Sequence, residues 1–171
     1  MFVACIGSRD ITPEEETLME DIGAYLARNG HTVKTGNAKG ADQAYARGAN
    51  RVSPAAVVLC LPWANYEEQA VKLGNIIHHE SQATAEERAY AELAHPAWLR
   101  LTQGARKLMV RNAMIIFGST LVIARTNPAK KGGGGTGHGV RIAEMLGIKV
   151  RDLSDYQQRR EIEQKLRGGL V

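Results

Sequence analysis

Apolar positions along the chain fall into two alternating patterns: short unbroken runs, and longer stretches with helical spacing. "FVACI" (2–6) is a short apolar run that predicts a strand, closed by "GSRD". Thr12, Pro13 and Glu15 then mark a helix start, because Thr can cap, Pro suits the first turn, and Glu can reach back to the cap amide. Leu18, Ile22, Tyr25 and Leu26 give that helix one apolar face, and Asn29-Gly30 ends it. "HTVKT" (31–35) reads as a second strand, and Gly36 to Gly40 as a turn into a short helix carrying Tyr45 and Ala46. "AAVVLCL" (55–61) and "STLVIAR" (119–125) are continuous apolar runs, the pattern of strands covered on both faces. "IKVRDL" (148–153) predicts a last short strand. Strands and helices alternating in this order predict an α/β domain, a parallel sheet with helices on both faces.

Between Trp63 and Gln103 the alternation lapses. "TAEERAYAELA" (84–94) predicts a helix ended by His95-Pro96, and "GARKLMVRNAMII" (104–116) predicts another that leads into the next strand. The stretch at about 64–103 is too long for an ordinary connection; it is expected to be a helical insertion that lines a site or forms an interface. "YQQRREIEQKLRGGLV" is charged and predicts a helix that frays into a glycine tail, so the chain divides into a domain at 1–153 and a C-terminal helix and tail at 154–171. A length of 171 residues with 44% hydrophobic content suits one compact core. The net charge of +4 is spread along the chain, which permits an anionic small molecule or nucleic acid without requiring either. Cys5 and Cys60 lie in apolar runs, as reduced core cysteines of a cytosolic protein do. "MFVACIGSRD" lacks a basic n-region and no stretch reaches membrane-spanning length, so a soluble, cytoplasmic chain with no membrane partner is expected.

The candidate chemistry centres on "KKGGGGTGHGVRIAEMLGI" (130–148), where a glycine run follows a strand and precedes a helix expected to start near His138. Ligands of open α/β sheets bind at the carboxyl ends of the strands. Glycines there let amides approach a phosphate closely, and a helix N-terminus adds free N–H donors and partial positive charge. Thr136 offers a hydroxyl, His138 a ring donor, and Lys130 or Lys131 a point charge. Four consecutive glycines fit a flexible surface loop equally well. "GSRD" and "TGNAKGAD" end the first two strands, so three turns with small and polar residues would share one edge and make one polar cleft. Neither a GxxxxGK[ST] P-loop nor a GxGxxG after the first strand is present, and no cofactor is expected. Trp63 and Tyr66 in "LPWANYE" could close the core or stack on a base; stacking by one of them is favoured, with Trp63 the candidate. His78, His79, Glu80, Glu86, Glu87 and His95 hint at a metal, but adjacent histidines diverge on any regular element, so no metal site is expected.

"IGSRD", "TGNAKGADQAYARGA", "LPW", "RN" at 111–112 before "LVIAR", and "GGTGHGVRIAEMLGIKV" occur in an order that resembles the SLOG superfamily. That group includes the LONELY GUY nucleotide phosphoribohydrolases, the DNA-processing protein A family and sensor domains for nucleotide-derived signals. The chain looks most similar to small stand-alone members with a G-S-R start and an R-N pair, several encoded by bacteria and their phages. The resemblance implies a Rossmann-like fold whose strand-end loops hold a nucleotide or an ADP-ribose-like molecule. It places Gly7, Ser8 and Arg9 in the first wall of the site, and Gly36, Lys39, Gly40 and Asp42 in the second. Arg111 and Asn112 would reach in from a helix, and Gly134, Gly135, Thr136 and His138 would complete it. It also implies homo-oligomers, which are common among the relatives.

The LONELY GUY enzymes carry a P-G-G-x-G-T-x-x-E signature whose Glu, with an Arg, assists N-glycosidic cleavage. Here Gly139 stands where that Glu would be, and no Pro precedes the glycines. Glu144 lies further along the helix; Arg111 and Asp42, or Glu67, are the remaining catalytic candidates. Two function classes follow. One is a module that binds, senses, sequesters or hydrolyses a small phosphorylated nucleoside. The other is a single-stranded-DNA-binding protein like the DNA-processing family, which calls for a basic groove with stacking aromatics. Aromatic residues make up only 5% of the chain and the positive excess is small, so the first class is favoured.

Overall fold

The computed structural model describes residues 1–168, and the glycine tail expected at 169–171 lies outside them. Six strands, β1 (Phe2–Gly7), β2 (Thr32–Thr35), β3 (Val57–Leu61), β4 (Ile76–His79), β5 (Leu121–Arg125) and β6 (Val150–Asp152), form one sheet in the order β4-β3-β2-β1-β5-β6. Every pairing is parallel, as the Rossmann-like expectation requires. The helices are α1 (Pro13–Arg28), α2 (Ala41–Val52), α3 (Ala85–Leu93), α4 (Gln103–Ile116), α5 (Gly134–Met145) and α6 (Tyr156–Gly168). Among the described residues no helix is long and apolar enough to cross a membrane.

The unbroken apolar runs are explained by cover on both sides. Val3 and Cys5 of β1 and Val57, Leu59 and Leu61 of β3 face a core shared with α1 and α2. Ala4 and Ile6, with Val58 and Cys60, face a second core shared with α3, α4 and α5. Alternate residues therefore serve opposite layers, and a side chain anywhere in the run is buried whichever way it points.

Two features depart from the sequence reading. The stretch at 64–103 supplies β4 as well as α3, so it extends the sheet rather than only decorating it. Among the described residues β4 pairs only with β3, and its four residues alternate between exposed and half-buried, so it has no apolar run to reveal it. The second departure concerns α5, which begins at Gly134, inside the glycine run and one turn before His138.

On the first face α1 and α2 touch backbone to backbone. A Cβ at Gly23 would overlap the carbonyl of Tyr45, and one at Gly48 the carbonyl of Glu20. Arg47 of α2 clamps the same contact by pairing with Glu16 and, at 2.9 Å, with Glu20 of α1. Gly48→Ala should therefore force the helices apart and cost about 2 kcal/mol, lowering the thermal midpoint by about 6 °C. Gly104→Ala in α4 meets nothing within 4 Å and should raise stability by about 0.5 kcal/mol. Equal effects from the two substitutions in a urea titration would refute this packing account.

Candidate functional site: a cleft at the switch point of the sheet

From β1 the chain builds outward through β2, β3 and β4 on one side, then returns to place β5 and β6 on the other. The strand order therefore reverses between β1 and β5, and a crevice opens there at the carboxyl ends. It encloses about 380 Å³. Its walls come from four places: Ile6, Gly7, Ser8, Arg9 and Asp10 at the end of β1 and just beyond it; Ala38 and Asp42 around the start of α2; Leu108, Met109, Arg111 and Asn112 of α4; and Lys130, Gly135 and Thr136 after β5. Three strand-end loops and a helix thus converge as the polar-cleft reading expects.

Helix starts distinguish this edge from the rest of the molecule. Thr12, Thr84 and Thr102 cap α1, α3 and α4 by accepting the amides of Glu15, Glu87 and Ala105 at 3.1–3.2 Å. Asp155 accepts the amide of Gln158 in the first turn of α6 at 3.0 Å. The two helices that open onto the cleft start from glycines, Gly40 for α2 and Gly133 for α5, and neither has a side-chain cap. The uncapped start of α5 leaves N–H donors and a positive dipole end facing the crevice, whereas at α2 the amides of Ala41 and Gln43 already donate to the Ser8 and Ala38 carbonyls.

The glycine run is held in place rather than left open. Gly133 donates its N–H to the Lys130 carbonyl at 2.8 Å. Asn112 Nδ2 donates to the Gly135 carbonyl at 3.1 Å, and Arg141 Nη1 donates to the Gly132 carbonyl at 2.6 Å. Asn112 thereby ties α4 to the start of α5, next to the cleft.

Beneath the polar walls lies a buried charge arrangement. Arg111 is 5% exposed, and its Nη1 donates to the Gly36 carbonyl. Its guanidinium lies 5.5 Å from the centroid of the Tyr66 ring. The Asp42 carboxylate, 6% exposed, accepts the Ala38 amide at 3.3 Å and faces the amides of Gly36 and Gly7. Burial pushes the Asp42 carboxyl above its ordinary value, against the pull of Arg111 and of those amides. Gly36 separates the two charges, and a Cβ there would collide with the guanidinium and approach Asp42 Oδ2 to 2.9 Å. No side chain but hydrogen fits.

Several expected site residues stand elsewhere. Lys39 is exposed and does not line the cleft. Gly36 and Gly40 act through backbone, and Gly134 lies under the Lys130 side chain. Trp63 packs edge-on against Tyr66 at 5.2 Å, away from the crevice, while Tyr66 itself supports Arg111. Glu67 is also outside; its Oε2 accepts from Gln69 at 2.7 Å.

His138 is the clearest correction. It is fully buried, with Nε2 2.8 Å from the Ala91 carbonyl, so it packs against α3 instead of a ligand. Because α5 begins at Gly134, His138 lies about 200° around the helix from Thr136. Gly139 also faces inward, where a Cβ would meet Ile6 Cδ1 at 2.8 Å, so this position has no room for a glutamate. Leu108, Met109 and Asp10 are lining residues that the sequence reading missed, since only the helix and loop orientations expose them.

Two measurements check this geometry. Arg111→Met leaves the Asp42 charge buried without its cation and should cost about 3 kcal/mol. Combining it with Asp42→Asn should recover at least about 1 kcal/mol relative to the summed single losses. Additive losses in a urea double-mutant cycle would dissociate the two residues. For His138, burial first, then Arg141 and His95, pull the folded pKa down from 6.5 to about 4, against the Ala91 bond. The folded value is the lower one, so this stability is present above pH 6.5 and drains away as the pH falls toward 4. Between pH 7 and 5 the loss should be about 2 kcal/mol, and His138→Gln should remove that component from the pH profile.

Comparison with solved structures finds DNA processing protein A from Helicobacter pylori, described for its unique single-stranded DNA binding mode. It matches with a TM-score of 0.63 at 19% identity, covering 96% of this chain and 72% of that one. At that identity the similarity establishes the fold. No curated protein matches the sequence. The family model of the SLOG cluster4 family matches residues 1–167, nearly the whole chain. With the switch-point cleft and its glycine-started helices, the protein belongs to the SLOG cluster4 family.

Proposed function

We propose that the cleft binds a nucleotide-derived phosphorylated ligand, such as a nucleoside phosphate, an ADP-ribose-like molecule or a cyclic nucleotide signal. Membership of the SLOG family supports nucleotide or nucleic-acid binding in general. The observation that carries the finer reading is the start of α5, an uncapped helix N-terminus at the switch point with Lys130 beside it. A phosphate there meets free amides, the positive dipole end and one ammonium group. The Leu108 and Met109 side of the cleft offers an apolar surface for the base, and the Ser8 hydroxyl lies along the same walls.

Binding without turnover is the favoured form. Asp42 and Asp10 are the carboxylates lining the cleft among the described residues. Asp42 is engaged by amides and lies beside Arg111, so it is not free to swing onto a glycosidic bond. The same reading expects a homo-oligomer acting in the cytoplasm as a sensor or sequestering protein.

A thermal-shift screen against nucleoside phosphates, ADP-ribose and cyclic nucleotides, followed by chromatography of each mixture, tests the proposal. A ligand at about a hundred times its Kd should add roughly 2.7 kcal/mol of stability and return intact. Lys130→Ala should weaken it about tenfold, or about 1.4 kcal/mol. Gly134→Val should abolish binding with the fold retained, since that residue has φ +75° and lies against Lys130. Cleaved product would establish the N-glycoside hydrolase reading instead. A response only to single-stranded DNA, falling steeply with salt, would replace the small-ligand reading with the DNA-binding one.

A further inference from the structure

A second cavity of about 370 Å³ lies at the opposite pole of the sheet, where Met1, Thr120 and Lys149 lead into β1, β5 and β6. Its walls are apolar: Val3 of β1, Ile22 and Leu26 of α1, Ile123 of β5, and Ile162 and Leu166 of α6. Helix α6 forms one side of it without burying any residue fully. Ile162 and Leu166 are only partly covered by the core they face, which leaves space that a better-packed helix would fill.

The remaining lining includes Tyr25, Thr120 and Leu121, and its charged side chains are Lys149, Arg151 and Lys165. His31, Lys149, Arg151 and Lys165 border the cavity, and no acidic residue does among the described residues. Arg151 is paired with Glu161 at 3.2 Å. Lys149 and Lys165 have no carboxylate within ion-pair distance among the described residues. His31 Nδ1 is buried there with no hydrogen-bond partner among the described residues. An apolar chamber of ligand size bordered by two unpaired lysines and one orphaned ring nitrogen has the chemistry of a small-molecule site.

We propose that this cavity binds a small apolar carboxylate, its chain between α6 and α1 and its carboxylate at Lys149 and Lys165. Two separate ammonium point charges suit a monoanion, whereas the one guanidinium fork nearby is already engaged by Glu161. The apolar walls account for the chain: a ligand that is only charged would leave them empty.

Isothermal titration of the full chain with decanoate, decanol and acetate tests this. Decanoate should bind saturably, decanol at least tenfold more weakly, and acetate not detectably. Lys149→Glu with Lys165→Glu, both exposed and therefore harmless to the fold, should weaken decanoate at least tenfold. Ile162→Trp should also block it by filling the chamber. Lys130→Ala, in the switch-point cleft, should leave decanoate affinity unchanged. The proposal is overturned by absent or unsaturable decanoate binding, by decanol binding equally well, by indifference to the charge reversals, or by loss of binding in Lys130→Ala.

Discussion

Arg111 reaches from one helical layer over the carboxyl edge of the sheet to the other, and the cleft takes its shape from that reach. The residue stands on α4, yet its partners are the carbonyl that ends β2, the carboxylate of α2 and the ring of Tyr66 in the loop after β3. A guanidinium this deeply buried is costly unless its surroundings are polar and fixed. The demand is met by backbone: Gly36 supplies the carbonyl and, having no side chain, the room for the guanidinium to reach it. Four elements must be in register before the charge is tolerated. The arrangement therefore specifies how the loops meet even where it adds little net stability.

That constraint also decides the chemistry left to the cleft. Asp42 looks, by residue type, like a general acid beside an arginine. Its carboxylate accepts backbone amides and neighbours a fixed cation, so its role is to hold the turn before α2 and to balance Arg111. At the position where related hydrolases present a glutamate, Gly139 turns into the core against Ile6. Of the two carboxylates that line the cleft among the described residues, the buried one, Asp42, is committed to structure. On that ground the proposed role is that of a receptor rather than a catalyst.

Much of this was legible in the sequence because burial on two faces writes itself as unbroken apolar runs. β1, β3 and β5 are such runs, and each was readable from its residues alone. β4 was not, because an edge strand with one neighbour needs no continuous apolar face and "IIHH" shows none. Gly7, Ser8, Arg9, Asp42, Arg111, Asn112, Gly135 and Thr136 were expected at one site and do meet at one cleft. His138 was misplaced for a definite reason. A helix starting four residues earlier rotates every later side chain by a known angle, and glycines give no signal of where the first turn begins. Trp63 and Lys39 failed differently, since a strand's end fixes the position of the following loop but not the direction of each side chain in it.

Two uncapped helix starts face the cleft, and they are not equivalent. At α2 the amide of Ala41 donates to Ser8, that of Gln43 to Ala38 and that of Ala44 to Gly40. Asp42, in the same first turn, is occupied in balancing Arg111, so what distinguishes α2 is that its first amides are taken by carbonyls of the protein. At α5 the first turn is Gly134, Gly135 and Thr136, with no acidic residue in it, and the neighbouring charge is the ammonium of Lys130. Open donors therefore remain at α5, while those of Ala41 and Gln43 at α2 are taken. The anionic group of the proposed ligand would find its open amides on the glycine side. The less charged part of such a ligand is left toward α4, where Leu108 and Met109 form the wall. The direction in which the proposed nucleotide would lie in the cleft thus follows from which of two glycine-started helices keeps its first amides open.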